Sequence, residues 1–106
     1  VTCTCVRVPV YRSHSISVTA QFEQPVDLEK ARQAYEGKPG VALMDNPAEG
    51  LWPTPLDSTN GDTCYVGRMR RDMAVDNALA LWVVGDQVRK GAALNAVQIA
   101  ELLINR

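Results

Sequence analysis

Polar and apolar positions alternate through residues 15–23, with Ile16, Val18, Ala20 and Phe22 on one side and Ser17, Thr19, Gln21 and Glu23 on the other. A period of two predicts a half-buried strand. Upstream, residues 1–10 set Thr2, Thr4, Val6, Val8 and Val10 against Val1, Cys3, Cys5, Arg7 and Pro9. The β-branched content predicts a second strand there, with Arg7 on the cysteine face and a short link leading to His14. Pro25-Val26-Asp27 ends the first pattern, and Asp27 can cap a helix through Leu28, Ala31, Ala34 and Tyr35 that stops at Gly37 and Pro39.

Residues 41–44 predict a short strand. Residues 46–61, rich in proline, glycine and polar side chains, predict a long loop, and loops of that length are usually functional or interfacial. Two further strands are expected over 63–70 and 79–84, the latter apolar at nearly every position and so buried on both faces. After Asp86 as N-cap, Val88, Ala92, Ile99 and Leu103 form one apolar stripe of a helix, and Ala93, Val97, Ala100 and Ile104 form another. Such a helix needs two partners. Gly91 beside Ala92 and Ala93 suggests a close backbone approach, because glycine inside a helix costs about 1 kcal/mol relative to alanine. Asn95, interrupting the stripe, needs hydrogen bonds or a ligand. Strands and helices in this order predict an α+β layer with a mixed or antiparallel sheet and helices on one face.

Composition narrows the function. A chain of 106 residues buries only about two thirds of the surface its unfolded form exposes, so it can lean on a neighbour for stability. Eleven basic against twelve acidic residues leave a net charge of -1, which gives no electrostatic footprint for nucleic acid or an anionic membrane. Apolar runs such as 79–84 are too short to span a bilayer and no signal segment opens the chain, so a soluble, cytoplasmic protein is expected. A valine at position 1, inside an expected strand, suggests a fragment. Cys3, Cys5 and Cys64 form neither a disulfide framework nor a recognised zinc spacing. On one strand Cys3 and Cys5 would stand roughly 7 Å apart, at or beyond disulfide reach. Free thiols and no metal are expected.

His14 is the only histidine, and imidazole exchanges protons readily near neutral pH. It reads either as a catalytic acid/base or as a hydrogen-bonded surface residue between serines. Arg7 needs an anion for its planar fork, either a structural carboxylate or an acid ligand. Together they would suit an acid substrate with a proton to remove. No glycine-rich phosphate loop or serine elbow occurs, and each cysteine lies in an expected strand with no helix N-terminus beside it to lower its pKa. The catalytic equipment is incomplete.

Cys5-Val6-Arg7-Val8-Pro9-Val10 followed by His14-Ser15 resembles the aspartate-semialdehyde dehydrogenase family. Three later runs, residues 65–72 (YVGRMRRD), 81–87 (LWVVGDQ) and 90–101 (KGAALNAVQIAE), resemble the family's later motifs in the same order. The resemblance covers nearly all these residues but only the C-terminal part of a family chain. It implies the dimerisation/catalytic domain of a Rossmann-type two-domain dehydrogenase over residues 1–84. It also implies a C-terminal helix, over 85–106, that packs on the NADP-binding domain. The implied reaction converts aspartate semialdehyde and phosphate to aspartyl phosphate through a cysteine thioester, reversibly and with NADP, in lysine, threonine and methionine biosynthesis. By position, Arg7 matches the arginine that holds the substrate carboxylate and His14 the acid/base histidine. Gln87 matches a residue implicated in NADP binding, and Asn95 lies near the nicotinamide or is plain core. A homodimer or homotetramer is implied. The family's nucleophilic cysteine and dinucleotide loop match nothing here, so the isolated chain is expected to be inactive. Other readings are a related acyl-phosphate reductase, a non-catalytic paralogue or dimerisation module, or a small binding domain using Trp52 and Trp82.

Overall fold

The computed structural model describes residues 1–104. Its centre is a four-stranded mixed sheet in the order β1-β4-β3-β2, built from β1 (His14–Gln21), β2 (Val41–Leu43), β3 (Cys64–Arg71) and β4 (Ala78–Gly85). β1 and β3 run antiparallel to β4, while β2 runs parallel to β3. Helices α1 (Leu28–Gln33) and α2 (Pro55–Ser58) occupy the connections, and α3 (Leu94–Ile104) closes the described chain. The α+β reading with a mixed sheet holds.

The core sits on the two central strands, where Val66, Met69, Ala78, Leu79, Ala80 and Val84 are buried. β4 is the most apolar strand: it pairs with β1 on one side and β3 on the other and has buried residues on both faces. Edge strand β1 keeps its expected alternation, but Ile16 stays 52% exposed, and Phe22 just beyond it 44%. Gly67 admits a close crossing: a Cβ there would stand 2.4 Å from Pro53 Cδ and 2.5 Å from the Met44 carbonyl oxygen. That packs the 46–61 connection onto β3.

Three expectations need correction. Residues 1–13 form no strand: this stretch is irregular and residues 1–11 are exposed. β-branched residues favour a pleated conformation only where a neighbouring strand takes up the backbone hydrogen bonds, and among the described residues none pairs with this stretch. Arg7 and the two cysteines therefore share no sheet face. The 46–61 connection is not one open loop, since Pro47–Glu49 forms a 3₁₀ turn and Pro55–Ser58 forms α2. Finally, the last helix begins with a π-helical turn at Arg89–Ala93. The nearest atom to a Cβ at Gly91 would be Gln87 Cβ at 3.7 Å, so no second backbone approaches it among the described residues.

Asp27 caps α1 as expected, accepting from the N–H groups of Glu29 and Lys30 at 2.9 and 3.1 Å. No helix of the described residues is long and apolar enough to cross a membrane. All three cysteines are free, and no metal-binding cluster of His, Cys, Asp or Glu occurs among the described residues.

Candidate active site around His14

Two consecutive residues, Asp86 and Gln87, follow β4 and organise the end of the sheet where β1 begins. Asp86 is fully buried. Its Oδ2 accepts the N–H of Asn60 at 2.8 Å, and its Oδ1 accepts the N–H of Val88 at 2.9 Å. Arg12 Nε stands 2.6 Å from Oδ2, in charge contact without an aligned hydrogen bond. Burial pushes the Asp86 carboxyl up, but the Asn60 N–H, the Arg12 guanidinium and the N–H groups of Val88 and Arg89 outweigh it and hold the group below the usual carboxylate range. One carboxylate thus ties together the segment before β1, the turn after α2 and the start of the C-terminal helical run. Asp86 acts as the expected cap through Val88, one step ahead of the regular helix.

Gln87 continues this arrangement. Its Oε1 accepts the N–H of Ser13 at 2.9 Å, and the Ser13 hydroxyl meets Thr59 Oγ1 at 3.2 Å. Ser13 is buried and holds a left-handed backbone at φ 78°, uncommon for a residue with a Cβ. His14 comes next, as the first residue of β1 opposite Gly85. Its imidazole is exposed while its backbone is fixed on both sides. The side chain is presented, not packed.

Arg7 lies in the irregular N-terminal stretch, exposed, without hydrogen bond or ion pair among the described residues. The bland reading of a structural carboxylate partner is not realised there. His14 and Gln87 are brought together through Ser13, whereas Arg7 is not brought against either. Asn95 sits half-buried in the first turn of α3, and its side chain makes no hydrogen bond among the described residues. The Gln87 carboxamide must turn its oxygen to the Ser13 N–H, which leaves Nε2 as a donor.

Sequence reasoning missed Asp86 as a hub, and also Arg12, Ser13 and Thr59. For Arg12, Ser13 and Asp86 the only sequence signal is their placement beside His14 and Gln87, and Thr59 has none, because the Ser13 bonds to Gln87 and Thr59 span 74 and 46 residues. Trp52 and Trp82 do share a cleft of about 400 Å³ with Pro53, Arg68 and Arg70. None of His14, Arg7, Gln87 or Asn95 lines it. Trp82 Nε1 donates to the Pro53 carbonyl at 3.1 Å and the Arg68 guanidinium lies 5.0 Å from the Trp52 ring centre, so both indoles already serve internal packing.

Residues 1–90 match the family described as semialdehyde dehydrogenase, dimerisation domain. Over all 106 residues the chain is 51% identical to an aspartate-semialdehyde dehydrogenase of Synechocystis sp., covering 31% of that protein. An Aquifex aeolicus aspartate-semialdehyde dehydrogenase is 45% identical over 98% of this chain and 31% of its own. Among solved structures, aspartate semialdehyde dehydrogenase II of Vibrio cholerae complexed with ASA superposes with a TM-score of 0.87 at 43% identity, over 96% of this chain and 30% of that one. The chain therefore spans about three tenths of the length of these relatives. With most of its length matched by the family and its sheet superposing on the solved relatives, the chain belongs to the semialdehyde dehydrogenase dimerisation-domain family.

Proposed function

We propose that this domain supplies the acid/base and the substrate carboxylate anchor of an aspartate-semialdehyde dehydrogenase, which oxidises L-aspartate 4-semialdehyde to L-4-aspartyl phosphate with NADP and phosphate. The observation that carries the reading is the mounting of His14. The only histidine is displayed on the surface while its neighbour Ser13 is buried and tied to Gln87 and Thr59. A fixed backbone under an exposed imidazole is what a group that must meet a substrate requires.

In the reaction His14 takes the proton from a thiol supplied outside this chain as it adds to the aldehyde, and manages the proton again when phosphate displaces the thioester. NADP, when bound, accepts the hydride. Arg7 receives the substrate carboxylate on its guanidinium fork, and the irregular stretch that carries it is ordered by that contact. Gln87 Nε2 and Asn95 face the cofactor side, and α3 packs on the nucleotide-binding domain. No cysteine of this chain inherits the nucleophile's role. The enzyme works as a homodimer or homotetramer in the cytoplasm, and the family's dimerisation role supports such an assembly.

The test is the phosphate-dependent reduction of NADP by the full-length polypeptide with aspartate semialdehyde, run beside the 106-residue chain. Turnover by the former and none by the latter is expected. Turnover by the short chain alone, or none by the full-length protein, would overturn the reading.

A further inference from the structure

We propose that Gln87 is a positioning residue for His14, acting through the Ser13 N–H, a role distinct from any contact it makes with the cofactor. The proposal rests on His14 being the acid/base. Ser13 is the one residue between the Arg12 ion contact and the His14 ring, and it is held in a conformation that a residue with a Cβ adopts only when its surroundings enforce it. The enforcing contacts are few. Gln87 Oε1 takes the Ser13 N–H at 2.9 Å and Thr59 takes the Ser13 hydroxyl at 3.2 Å. Ser13 is only 4% exposed, so no water readily replaces the Gln87 oxygen. Without that acceptor the buried N–H is left unsatisfied, and the cheapest relief is for residue 13 to rotate toward the ordinary extended region. Because Ser13 ψ and His14 φ set where the imidazole leaves the strand, that rotation displaces the ring.

The placement adds a second consequence. Gln87 lies between β4 and the C-terminal helical run, and its neighbour Asp86 caps that run through Val88. A shift of the run is felt at Ser13, so His14 is aligned only when the C-terminal segment is seated.

Two variants separate the roles. Gln87→Met keeps the length of the side chain and removes the acceptor, while Gln87→Glu keeps an acceptor. In the 106-residue chain, exchange of the Ser13 amide hydrogen is expected to quicken by about tenfold in Gln87→Met, with the β3 and β4 amides unchanged, and to remain slow in Gln87→Glu. In the full-length polypeptide both variants lose the Nε2 donor and are expected to raise KM for NADP alike, while at saturating NADP Gln87→Met is expected to lower kcat by roughly 10- to 100-fold relative to Gln87→Glu, with KM for the aldehyde within about twofold. Unchanged Ser13 exchange in folded Gln87→Met overturns the proposal, as does a raised KM for NADP at unchanged kcat. Should Gln87→Met not fold, Gln87→Glu decides alone, slow Ser13 exchange with near-parental kcat supporting the proposal and fast exchange overturning it. Faster Ser13 exchange with unchanged kcat also overturns it, and His14→Ala then locates the failure: an active His14→Ala enzyme places it in the acid/base reading, an inactive one in the link from Ser13 to the ring.

Discussion

Asp86 and Asp45 are carboxylates whose side chains are wholly buried, and each satisfies backbone N–H groups that no strand ladder reaches. Asp86 gathers Asn60, Val88 and Arg12; Asp45 gathers Arg68, Met69 and Arg32. Apart from Val88, neither partner set could be read from local sequence, whereas the Asp27 cap could, because the N–H groups that donate to it lie two and three residues away. The same distance rule explains the candidate site. Arg7, His14, Gln87 and Asn95 stood out by chemistry and resemblance, but the Ser13 bond that couples Gln87 to His14 crosses 74 residues. Asp86 also predicts acid sensitivity. Its carboxyl is held below the usual range, as are those of Asp27, Asp57, Asp62 and Asp72, each through hydrogen bonds to the charged form. A depressed folded-state pKa contributes stability that is complete above the unfolded value, about 3.9, and is lost as pH falls through the folded one. The urea midpoint of the chain is therefore expected to be flat near neutrality and to fall progressively below about pH 4. Asp86→Asn is expected to be less stable at neutral pH and to lose part of that acid dependence. A parent midpoint that rises on acidification would contradict this assignment.

At the scale of elements, β3 shows how one side chain shapes a strand. The pairing with β4 slips between Gly67 and Arg70, and Arg68 at φ 55° opens a bulge whose Arg68 and Met69 N–H groups turn to Asp45 at 2.8 and 3.0 Å. Arg32 of α1 pairs with the same carboxylate, so the bulge anchors α1 to the sheet. Asp45→Ala leaves two N–H groups and a half-buried guanidinium without their partner, and is expected to cost about 3–5 kcal/mol in urea unfolding. A loss below about 1 kcal/mol would mean that water serves the bulge instead. Alternation located β1, a continuous apolar run located β4, and helical spacing located α1 and α3, while β2 and β3 were expected as strands between turn signals. These patterns failed for residues 1–10, where alternation was present and a partner strand was not. They also passed over α2, although Thr54 and Asp57 form a capping pair: the Asp57 carboxylate accepts both the N–H and the hydroxyl of Thr54 at 2.7 Å. In the sequence Pro53 and Pro55, on either side of Thr54, read as loop signals.

The whole molecule exposes more surface than its mass accounts for. A monomeric protein of 11.6 kDa is expected to present about 5,800 Å², and this chain presents 8091 Å². Its radius of gyration is 15.0 Å, against about 13 Å for a compact domain of this length. The difference resides in the irregular N-terminal stretch and in α3, which buries none of its residues and leaves Val97, Ile99, Leu102, Leu103 and Ile104 exposed. Of the two apolar stripes expected from sequence, Ile99 and Leu103 of one and Val97 and Ile104 of the other stand exposed on α3, while Ala92 and Ala93 fall in the π-turn and Val88 precedes it. The excess, about 2,300 Å², is larger than the roughly 800 Å² that one partner contributes to a standard protein–protein interface, which leaves room for the contacts of a family described by dimerisation. On the function proposed above, His14 stands on the surface of the domain and inside the assembled site. The most direct test is the kcat of the full-length polypeptide carrying His14→Ala, measured with aspartate semialdehyde, phosphate and NADP. A loss of about 10²- to 10⁴-fold with KM little changed is expected of a missing acid/base. A kcat within about twofold of the parent enzyme would contradict the acid/base role of His14, and with it the function proposed for this domain.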